Sequence, residues 1–246
     1  MKLTVVGCSG SGPGPTSAAS CYLVEHDDFR LLVDLGNGAF GSLLALADPE
    51  TIDAVFLSHL HADHCLDVAP FVVWHRYSGR SSGKRVPLYA PAGAERRLTL
   101  AYDGAEADLT DVFEFQDVAV GTSTIGPFEV RTTRTAHPVE CHAIRLTADG
   151  RSLVYTGDTG PSERVVELAR GADVLLAEAA HPPGAGLPAG LHLTGREAGE
   201  HAAAAGVGRL LLTHIPAWVE EIAQLFTASA VFPETELVRV GATYEI

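Results

Sequence analysis

The stretch Ser58-His59-Leu60-His61-Ala62-Asp63-His64 contains three histidines and an aspartate within six residues. It directly follows the apolar run 53–57, which is typical of a short buried strand. The first two histidines, two residues apart in a bent loop, can converge on one ion. The Asp-His pair just beyond them can face a second ion. Imidazole and carboxylate suit zinc or a similar divalent metal. A polar turn that is merely rich in histidine is the alternative, and it accounts poorly for this spacing.

The pattern resembles the signature of metallo-β-lactamase-fold hydrolases, which implies further metal ligands at the ends of later strands. His137 follows the strand-like run 128–133, Asp158 follows the run 151–154, and His214 follows a run of leucines. Their order and local motifs match the family, and the resemblance covers nearly the whole chain. It implies the following arrangement: His59, His61 and His137 hold one ion, Asp63, His64 and His214 hold the other, and Asp158 bridges both.

The resemblance also implies the fold, an αββα sandwich of two mixed sheets packed face to face, with outer helices and a metal site at one edge. A chain of 246 residues can form one domain with a sizeable core. No internal repeat, low-complexity tract or long linker divides the sequence. We therefore expect a single domain over residues 1–246.

The composition narrows the partners and the compartment. The formal charge is −14, from 17 basic and 31 acidic residues, which disfavours polyanions and anionic membranes as general partners. No apolar stretch is long enough to cross a bilayer, and residues 1–7 are typical of a strand rather than of a signal peptide. The cysteines show no C-x-x-C spacing, so we expect reduced thiols and a cytoplasmic protein. These cysteines are Cys8, Cys21, Cys65 and Cys141.

The glycine-rich loop 7–15 is only superficially similar to a nucleotide cradle. It lacks the Gly-Lys-Ser/Thr ending of a phosphate loop, and Pro13 and Pro15 oppose the helix that such a loop needs. Ser11 occupies the position where a G-x-S-x-G elbow has its last glycine. The composition favours a tight loop at the rim of the site over direct substrate binding. Asp34, at the end of a predicted strand, is either a hydrogen-bond partner of a metal-bound histidine or a solvated turn residue.

Further motifs resemble the ribonuclease Z-like branch of the family. They are Asp63, Thr213-His214-Ile215, Ala177-Glu178-Ala179 and His192-Leu193-Thr194. In that branch the histidine contacts the substrate phosphate and assists the leaving group, and the glutamate supports it. The resemblance therefore implies these roles for His192 and Glu178, and it places Asp63 in the catalytic set as well as among the ligands. Thr194 is expected to cap a helix over residues 194–205.

The tRNA-processing enzymes of this branch carry a long protruding arm, which bacterial members place between the third metal histidine and the bridging aspartate. Here residues 138–157 leave room only for a hairpin, and the chain is acidic, which disfavours folded RNA. The whole chain is most similar to bacterial cyclic-nucleotide phosphodiesterases of the branch, on segments 7–11, 57–66 and 213–218. We therefore predict hydrolysis of a small phosphodiester, a 2′,3′- or 3′,5′-cyclic nucleotide. Hydroxide between two divalent ions, zinc or manganese, would attack in line.

Alternatives from other classes stay open. They are a ribonuclease acting on tRNA 3′ ends, a hydrolase of carboxylic esters or lactones, and a non-catalytic binding module. The His192 and Glu178 motifs favour phosphate over a carboxylic ester, and the complete ligand set disfavours a binding module. The sequence does not reveal the oligomeric state; the branch is often dimeric, and a homodimer is suggested by that analogy alone.

The remaining chemistry-bearing residues receive weaker assignments. The loop 76–85 holds four of the 17 basic residues, and it suits a solvated loop, a phosphate contact or a second subunit. His201 is expected on the surface of its alanine-rich helix, and His181 has no predicted partner. Trp218 is expected to start a helix and to lie in the core, with stacking on a nucleobase as the alternative. A helix is expected over residues 66–77 despite Pro70.

Overall fold

The computed structural model describes residues 1–104, 107–182 and 190–246. The strands in these ranges are β1 Lys2–Gly7, β2 Cys21–His26, β3 Phe29–Val33, β4 Ala54–Phe56, β5 Val86–Ala90, β6 Phe113–Asp117, β7 Gly121–Ile125, β8 Phe128–Arg134, β9 His142–Ala148, β10 Arg151–Tyr155, β11 Val174–Glu178, β12 Arg209–Thr213, β13 Thr235–Leu237 and β14 Thr243–Glu245. The α-helices are α1 Ala39–Leu46, α2 Ala62–Cys65, α3 Val68–Tyr77, α4 Ala94–Asp103, α5 Glu163–Ala169, α6 Gly195–Ala205 and α7 Glu221–Ser229, and residues Pro49–Thr51 form a 3₁₀ turn.

The strands form two mixed sheets of seven strands each. The first sheet has the order β14-β1-β2-β3-β4-β5-β6, in which β3, β4, β5 and β6 are parallel neighbours. The second has the order β13-β12-β11-β10-β9-β8-β7, in which β10, β11, β12 and β13 are parallel neighbours. The first half of the chain thus builds one sheet and the second half builds the other, apart from β14, which pairs with β1.

Three apolar clusters lie between the layers of helices and sheets and hold them together. Side chains of both sheets, among them Tyr22, Phe56, Phe128 and Tyr155, form the cluster between the sheets. A second cluster packs α1, α3 and α4 on the outer face of the first sheet, and a third packs α5, α6 and α7 on the second. Because each sheet buries both faces, its central strands are apolar along their whole length rather than alternating. The expected αββα sandwich is confirmed.

The expected helix over residues 66–77 forms over residues 68–77, and a separate short helix precedes it. A short helix, α2, begins at Ala62 inside the histidine-rich stretch, and α3 begins at Val68. Pro70 has no N–H to donate to the carbonyl of Leu66, so it is accommodated only in the first turn of a new helix. The consequence is functional, since α2 carries both Asp63 and His64.

Residues 138–157 form the hairpin that their number predicts, with β9 and β10 paired antiparallel from Arg151–Ala148 to Tyr155–Ile144. All four cysteine side chains are free thiols, as expected from their spacing. Among the helices of the described residues, none has both the length and the apolar composition needed to cross a membrane.

Candidate metal centre

The predicted ligands meet because their strands end at one edge of the sandwich. In the second sheet β9 is antiparallel to both of its neighbours, so β8 runs in the same direction as β10, β11 and β12. His137, Asp158 and His214 each follow the carboxyl end of one of these strands. The histidine-rich stretch follows the carboxyl end of β4 in the facing sheet. Strand direction therefore brings residues that lie 155 positions apart, from His59 to His214, to one place.

Three histidines and one carboxylate form the first donor group. His61 Nδ1 lies 3.0 Å from His59 Nε2 and 3.3 Å from His137 Nε2. Two nitrogens bound to one tetrahedral zinc at about 2.0–2.1 Å are separated by roughly 3.3 Å, so this spacing suits ligands of a shared ion. Asp158 Oδ2 completes the group at 3.6 Å from His59 Nε2 and 4.0 Å from His137 Nε2.

The second donor group uses the other oxygen of the same carboxylate. Asp158 Oδ1 lies 3.2 Å from His64 Nε2 and 3.3 Å from His214 Nε2. Asp63 Oδ2 lies 3.5 Å and 3.8 Å from the same two nitrogens. The two oxygens of Asp158 thus face different groups, each compact enough to hold one ion. The two groups contain the same residues that the resemblance implies for the two ions.

Unpaired buried atoms at this place fit a bound cation. His64 Nε2, His214 Nε2 and Asp158 Oδ1 are buried and have no hydrogen-bond partner among the described residues. Buried polar atoms nearly always have a partner, because an unpaired one costs the free energy of its lost hydration. A divalent cation shared by the three atoms satisfies all of them at once. The donor set, of imidazole nitrogens and carboxylate oxygens, therefore fits divalent metal binding.

The protonation of the imidazoles agrees with this function. Burial lowers the pKa of His214 to about 4 and holds the pKa of His59 well below its usual range, so both rings are neutral and have a lone pair to offer near neutral pH. Burial also acts on His64, but the carboxylates of Asp158 and Asp34 raise its pKa well above the usual value. The position of its Nε2 between carboxylates thus favours a positive charge, whether a proton or a metal ion provides it.

Asp34 orients His64, a member of the second donor group, through a hydrogen bond to Nδ1, the ring nitrogen that faces away from Asp158. Its fully buried carboxylate receives hydrogen bonds from His64 Nδ1 at 2.7 Å, from Ser58 N at 2.7 Å and Oγ at 2.8 Å, and from the Tyr155 hydroxyl at 2.8 Å. Because Nδ1 of His64 donates to Asp34, the lone pair of that ring lies on Nε2, which faces Asp158. The prediction of Asp34 as a histidine partner is confirmed, and the alternative of a solvated turn is wrong.

The other ligand histidines have similar supports. Ser20 Oγ lies 2.8 Å from His214 Nδ1, and the carbonyl of Leu191 lies 3.4 Å from His137 Nδ1. Sequence reasoning missed Ser20, as it missed Tyr155, because each is distant in sequence from its partner, His214 for Ser20 and Asp34 for Tyr155. The available signal was a polar atom next to a strand end, which many unrelated residues share.

His192 and Glu178 form a hydrogen-bonded pair beside the shared carboxylate. His192 Nδ1 lies 2.9 Å from Glu178 Oε1 and 3.9 Å from Asp158 Oδ2. Glu178 is fully buried at the end of β11. Its oxygens also accept the backbone N–H groups of Thr159, Ala180 and Leu193. Burial alone would lower the pKa of His192, but the hydrogen bond and charge of Glu178 raise it above its usual value, so the pair favours a proton on the ring.

Secondary structure supports the position of His192. Thr194 caps α6 in a capping box with Glu197, as the sequence predicts for this threonine. The ring of His181 lies near that of His192, with ring centroids 5.3 Å apart, which gives His181 a neighbour that the sequence did not identify.

Two weaker predictions are wrong. His201 is buried rather than on the surface: its Nε2 accepts the backbone N–H of Ser162 at 3.0 Å, and its Nδ1 donates to the carbonyl of Glu197 at 2.8 Å. Trp218 lies in a turn before α7 and is 75% exposed, so it is not a core residue. The first error arises because helical position alone does not say which side of a helix a neighbouring element covers. The second arises because Trp218 does not start a helix, since α7 begins three residues later, at Glu221. Stacking of Trp218 on a nucleobase stays a prediction.

The glycine-rich loop packs against the centre. A Cβ atom on Gly10 would lie 2.3 Å from the carbonyl oxygen of His214, so only glycine allows this approach. Ser9 forms bridges to Ala19 and Ile215 on either side. These contacts place the loop at the rim, as its composition predicts.

The basic loop 76–85 lies at the opposite edge of the first sheet. It leads into the amino end of β5, whereas the centre lies at the carboxyl end of the parallel neighbour β4. Three of its cations pair with acids of the same chain. These pairs are Arg76–Asp111 at 2.6 Å, Arg80–Asp48 at 2.6 Å and Lys84–Asp53 at 3.3 Å. The position of the loop contradicts a phosphate contact beside the site, and the solvated loop and the contact with a second subunit both stay predictions.

The sandwich and the histidine–aspartate centre define a metallo-hydrolase. Residues 29–215 match the family described as the Beta-lactamase superfamily domain, and the chain belongs to this superfamily, in its metal-dependent form.

Several known proteins are similar to this chain. The uncharacterized protein ML1173 of Mycobacterium leprae is 42% identical over 100% of this chain and 89% of that protein. The probable metallo-hydrolase YhfI of Bacillus subtilis is 34% identical over 88% of this chain and 87% of its own length. The crystal structure of YhfI superposes with a TM-score of 0.89 at 31% identity, covering 100% of this chain and 99% of that one. A ribonuclease Z of Haloarcula marismortui is 25% identical over 87% of this chain and 86% of that protein.

A pair of glycine substitutions tests the geometry of the centre. A Cβ atom on Gly36 would lie 2.0 Å from the carbonyl oxygen of Asp63, so Gly36→Ala must displace the segment that carries Asp63 and His64. We expect this variant to retain less metal after dialysis, as measured by elemental analysis.

Gly41→Ala is the matched control. Gly41 lies inside α1 and has no atom within 4 Å of an added Cβ. We expect this variant to keep its metal and to gain about 0.5–1 kcal/mol in the free energy of unfolding, because alanine is the better helix former. Full metal retention by Gly36→Ala would show that the segment does not need this close approach.

Proposed function

We propose that this protein is a phosphodiesterase that hydrolyses cyclic mononucleotides, 2′,3′ or 3′,5′, to nucleoside monophosphates with two divalent cations, zinc or manganese. The observation that carries the proposal is the His192–Glu178 pair, 2.9 Å apart, directly beside the carboxylate that both donor groups share. Such a pair supplies a proton donor next to the place where a phosphate would bind. Hydrolysis of an alkyl phosphodiester needs that donor, because its leaving group is a poorly stabilised alkoxide.

The charge of the centre suits a phosphodiester. When bound, two divalent cations would supply Lewis acidity and lower the pKa of a water molecule. Asp63 and Asp158 offset only part of their charge, which leaves the site attractive to an anion. The transition state of phosphodiester hydrolysis carries more negative charge than the ground state, so such a site favours the transition state. The seven ligand residues hold this charge in place.

His192 is assigned to protonate the leaving oxygen. Glu178 accepts a hydrogen bond at Nδ1, which orients the ring and leaves Nε2–H as the donor toward the ribose oxygen. The buried carboxylate of Glu178 also stabilises the protonated ring, as the raised pKa of His192 reflects. A carboxylic ester with a phenol or other good leaving group would gain little from this pair, which argues for phosphate over such an activated ester.

The surface supports a small substrate. The β9–β10 hairpin takes up the segment in which bacterial tRNA-processing members of the family carry their arm. The basic loop 76–85 is at the far edge, with three cations already paired. A ribonuclease acting on tRNA 3′ ends is the second candidate, which the similarity to the Haloarcula ribonuclease Z favours. The net charge of −14 weighs against it, since binding of a polyanion relies on lysine and arginine contacts.

Removal of the shared carboxylate tests the two-ion arrangement. Asp158→Ala deletes a ligand from both groups, so we expect both ions and all activity to be lost together. Elemental analysis and activity of the purified variant measure this. One tightly held ion in the wild-type protein at full activity would contradict the two-ion mechanism.

Removal of the proposed acid tests the role of His192. We expect His192→Ala to keep its metal and its fold but to lower kcat on a cyclic nucleotide by about 10²–10⁴-fold, the usual loss for a general acid. The defect should nearly vanish on bis(4-nitrophenyl) phosphate, whose leaving group needs no proton. Equal losses on both substrates, or loss of metal, would show that His192 has another role.

A substrate panel tests the proposed function itself. We expect kcat/KM for a cyclic mononucleotide to exceed that for a 3′-extended tRNA by a wide margin and to change little with salt. A polyanion held by many cations would instead show a salt dependence close to one logarithmic unit per phosphate neutralised. Efficient tRNA cleavage that collapses with salt, together with no turnover of any cyclic nucleotide, would establish the ribonuclease instead. A lactone in the same panel tests the ester alternative.

A further inference from the structure

Gln224 is a fully buried polar side chain on α7, a helix that supplies none of the proposed site residues. Its Nε2 donates to the carbonyl oxygens of Ala179 at 2.8 Å and of His181 at 2.6 Å. Its Oε1 accepts the backbone N–H of Gly195 at 2.7 Å. Only one orientation of the amide satisfies all three groups, since two are acceptors and one is a donor.

These three bonds end on the two segments that carry the acid pair. One segment runs from Glu178 to His181 beyond the end of β11, and the other runs from His192 to Gly195 at the start of α6. The two segments also contact each other directly, through the bond from His181 N to the carbonyl of Leu193 at 2.9 Å. Gln224 therefore connects the backbone that follows Glu178 to the backbone that follows His192.

The close packing of α7 on α6 fixes the position of Gln224 relative to its hydrogen-bond partners. A Cβ atom on Gly195 would lie 2.2 Å from the carbonyl oxygen of Gln224, and one on Gly199 would lie 2.8 Å from that of Ala228. The two glycines, four residues apart on one face of α6, allow the backbones to approach closely. The amide of Gln224 thus reaches its three partners from a helix whose distance is set by direct contact.

A purely structural role is the simpler alternative, since Gly195 N is one of the donors that every helix start leaves unpaired. That role requires one bond, to Gly195. It does not account for the two bonds to the segment after Glu178, which lies outside the helix. Together, the three bonds fix the backbone that follows Glu178 relative to the backbone that follows His192.

We propose that Gln224 is a positioning residue, which holds the segments of Glu178 and His192 in the register that keeps the two side chains 2.9 Å apart. The inference rests on the proposed function, because it assigns the effect of Gln224 to proton donation by His192. Gln224 acts through the backbone, because its side-chain hydrogen bonds in the described part of the chain end on backbone groups and on none of the proposed ligand residues.

The test measures leaving-group dependence in Gln224→Met, which keeps the length of the side chain and removes its three hydrogen bonds. We expect kcat on a cyclic mononucleotide to fall by about 10–100-fold, the range seen when an outer partner of a site residue is lost, while kcat on bis(4-nitrophenyl) phosphate changes by less than about two-fold. The ratio of the two rates is decisive, because a partly unfolded preparation lowers both rates equally. Metal content should stay at the wild-type level.

Two further variants complete the test. Thr227→Val is the matched control, because within the described ranges the Thr227 hydroxyl bonds only to carbonyls of its own helix, and it should leave the ratio unchanged. Gln224→Glu keeps the acceptor for Gly195 but lacks the donors for the other segment, so it should lower the ratio like Gln224→Met. Equal losses on both substrates in the two Gln224 variants would assign Gln224 to stability alone, and so would failure of both to fold while Thr227→Val folds.

His192→Ala, measured beside them, separates this inference from the proposed function. If His192→Ala is selective for the alkoxide leaving group and Gln224→Met is not, the positioning role is wrong and the general acid stands. If His192→Ala shows no selectivity, the assignment of the acid is wrong, and the inference about Gln224 is overturned with it.

Discussion

The side chain of Asp158 is a buried carboxylate whose two oxygens face two separate sets of imidazoles, 3.2–3.6 Å from their nearest nitrogens. A carboxylate removed from water is costly unless positive charge or hydrogen-bond donors surround it. Three histidine-bearing segments, after β4, β8 and β12, must therefore end where Asp158 does. The parallel course of β8, β10 and β12 satisfies this requirement, and the facing sheet supplies the remaining donors.

Hydrogen bonds in the core between the two sheets also help to hold the donor groups in position. Tyr155, in the second sheet, donates to Asp34 of the first, and the hydroxyl of Tyr22, in the first, lies 2.7 Å from Thr213 Oγ1 of the second. The two rings pack against each other with centroids 5.0 Å apart. Each hydroxyl thus crosses the interface next to a ligand histidine, His64 or His214. Because these bonds lie in a low-dielectric interior, they hold the sheets and the donor groups in one mutual orientation.

The acid pair depends on a different part of the molecule from the ligands. Glu178 lies at the end of β11, between the two strands that supply Asp158 and His214, and the capped start of α6 positions His192 opposite it. The ligands rely on strand direction, whereas the pair relies on a helix cap and on a second helix packed against it. The two parts are nevertheless joined, because Glu178 Oε1 accepts the backbone N–H of Thr159, the residue after Asp158, at 2.6 Å.

The local sequence determined many of the elements, and the resemblance of its motifs to a known family supplied the candidate ligand set. The stretch 58–64, the strands before His137, Asp158 and His214, and the cap at Thr194 all depend on short-range patterns, namely apolar runs, chain order and side-chain type. The length of segment 138–157 was sufficient to predict its hairpin, because the number of residues limits what can form.

The tertiary structure decided which residues are buried and which residues that are distant in sequence contact each other. The burial of His201, the exposure of Trp218 and the position of the basic loop at the far edge depend on which elements pack together. The same holds for the supports given by Ser20, Tyr155 and Gln224, whose partners lie between 29 and 194 residues away along the chain. A hydrogen bond depends on separation in space, and the sequence pattern records only separation along the chain. These contacts therefore became visible once the two sheets and their covering helices were in place.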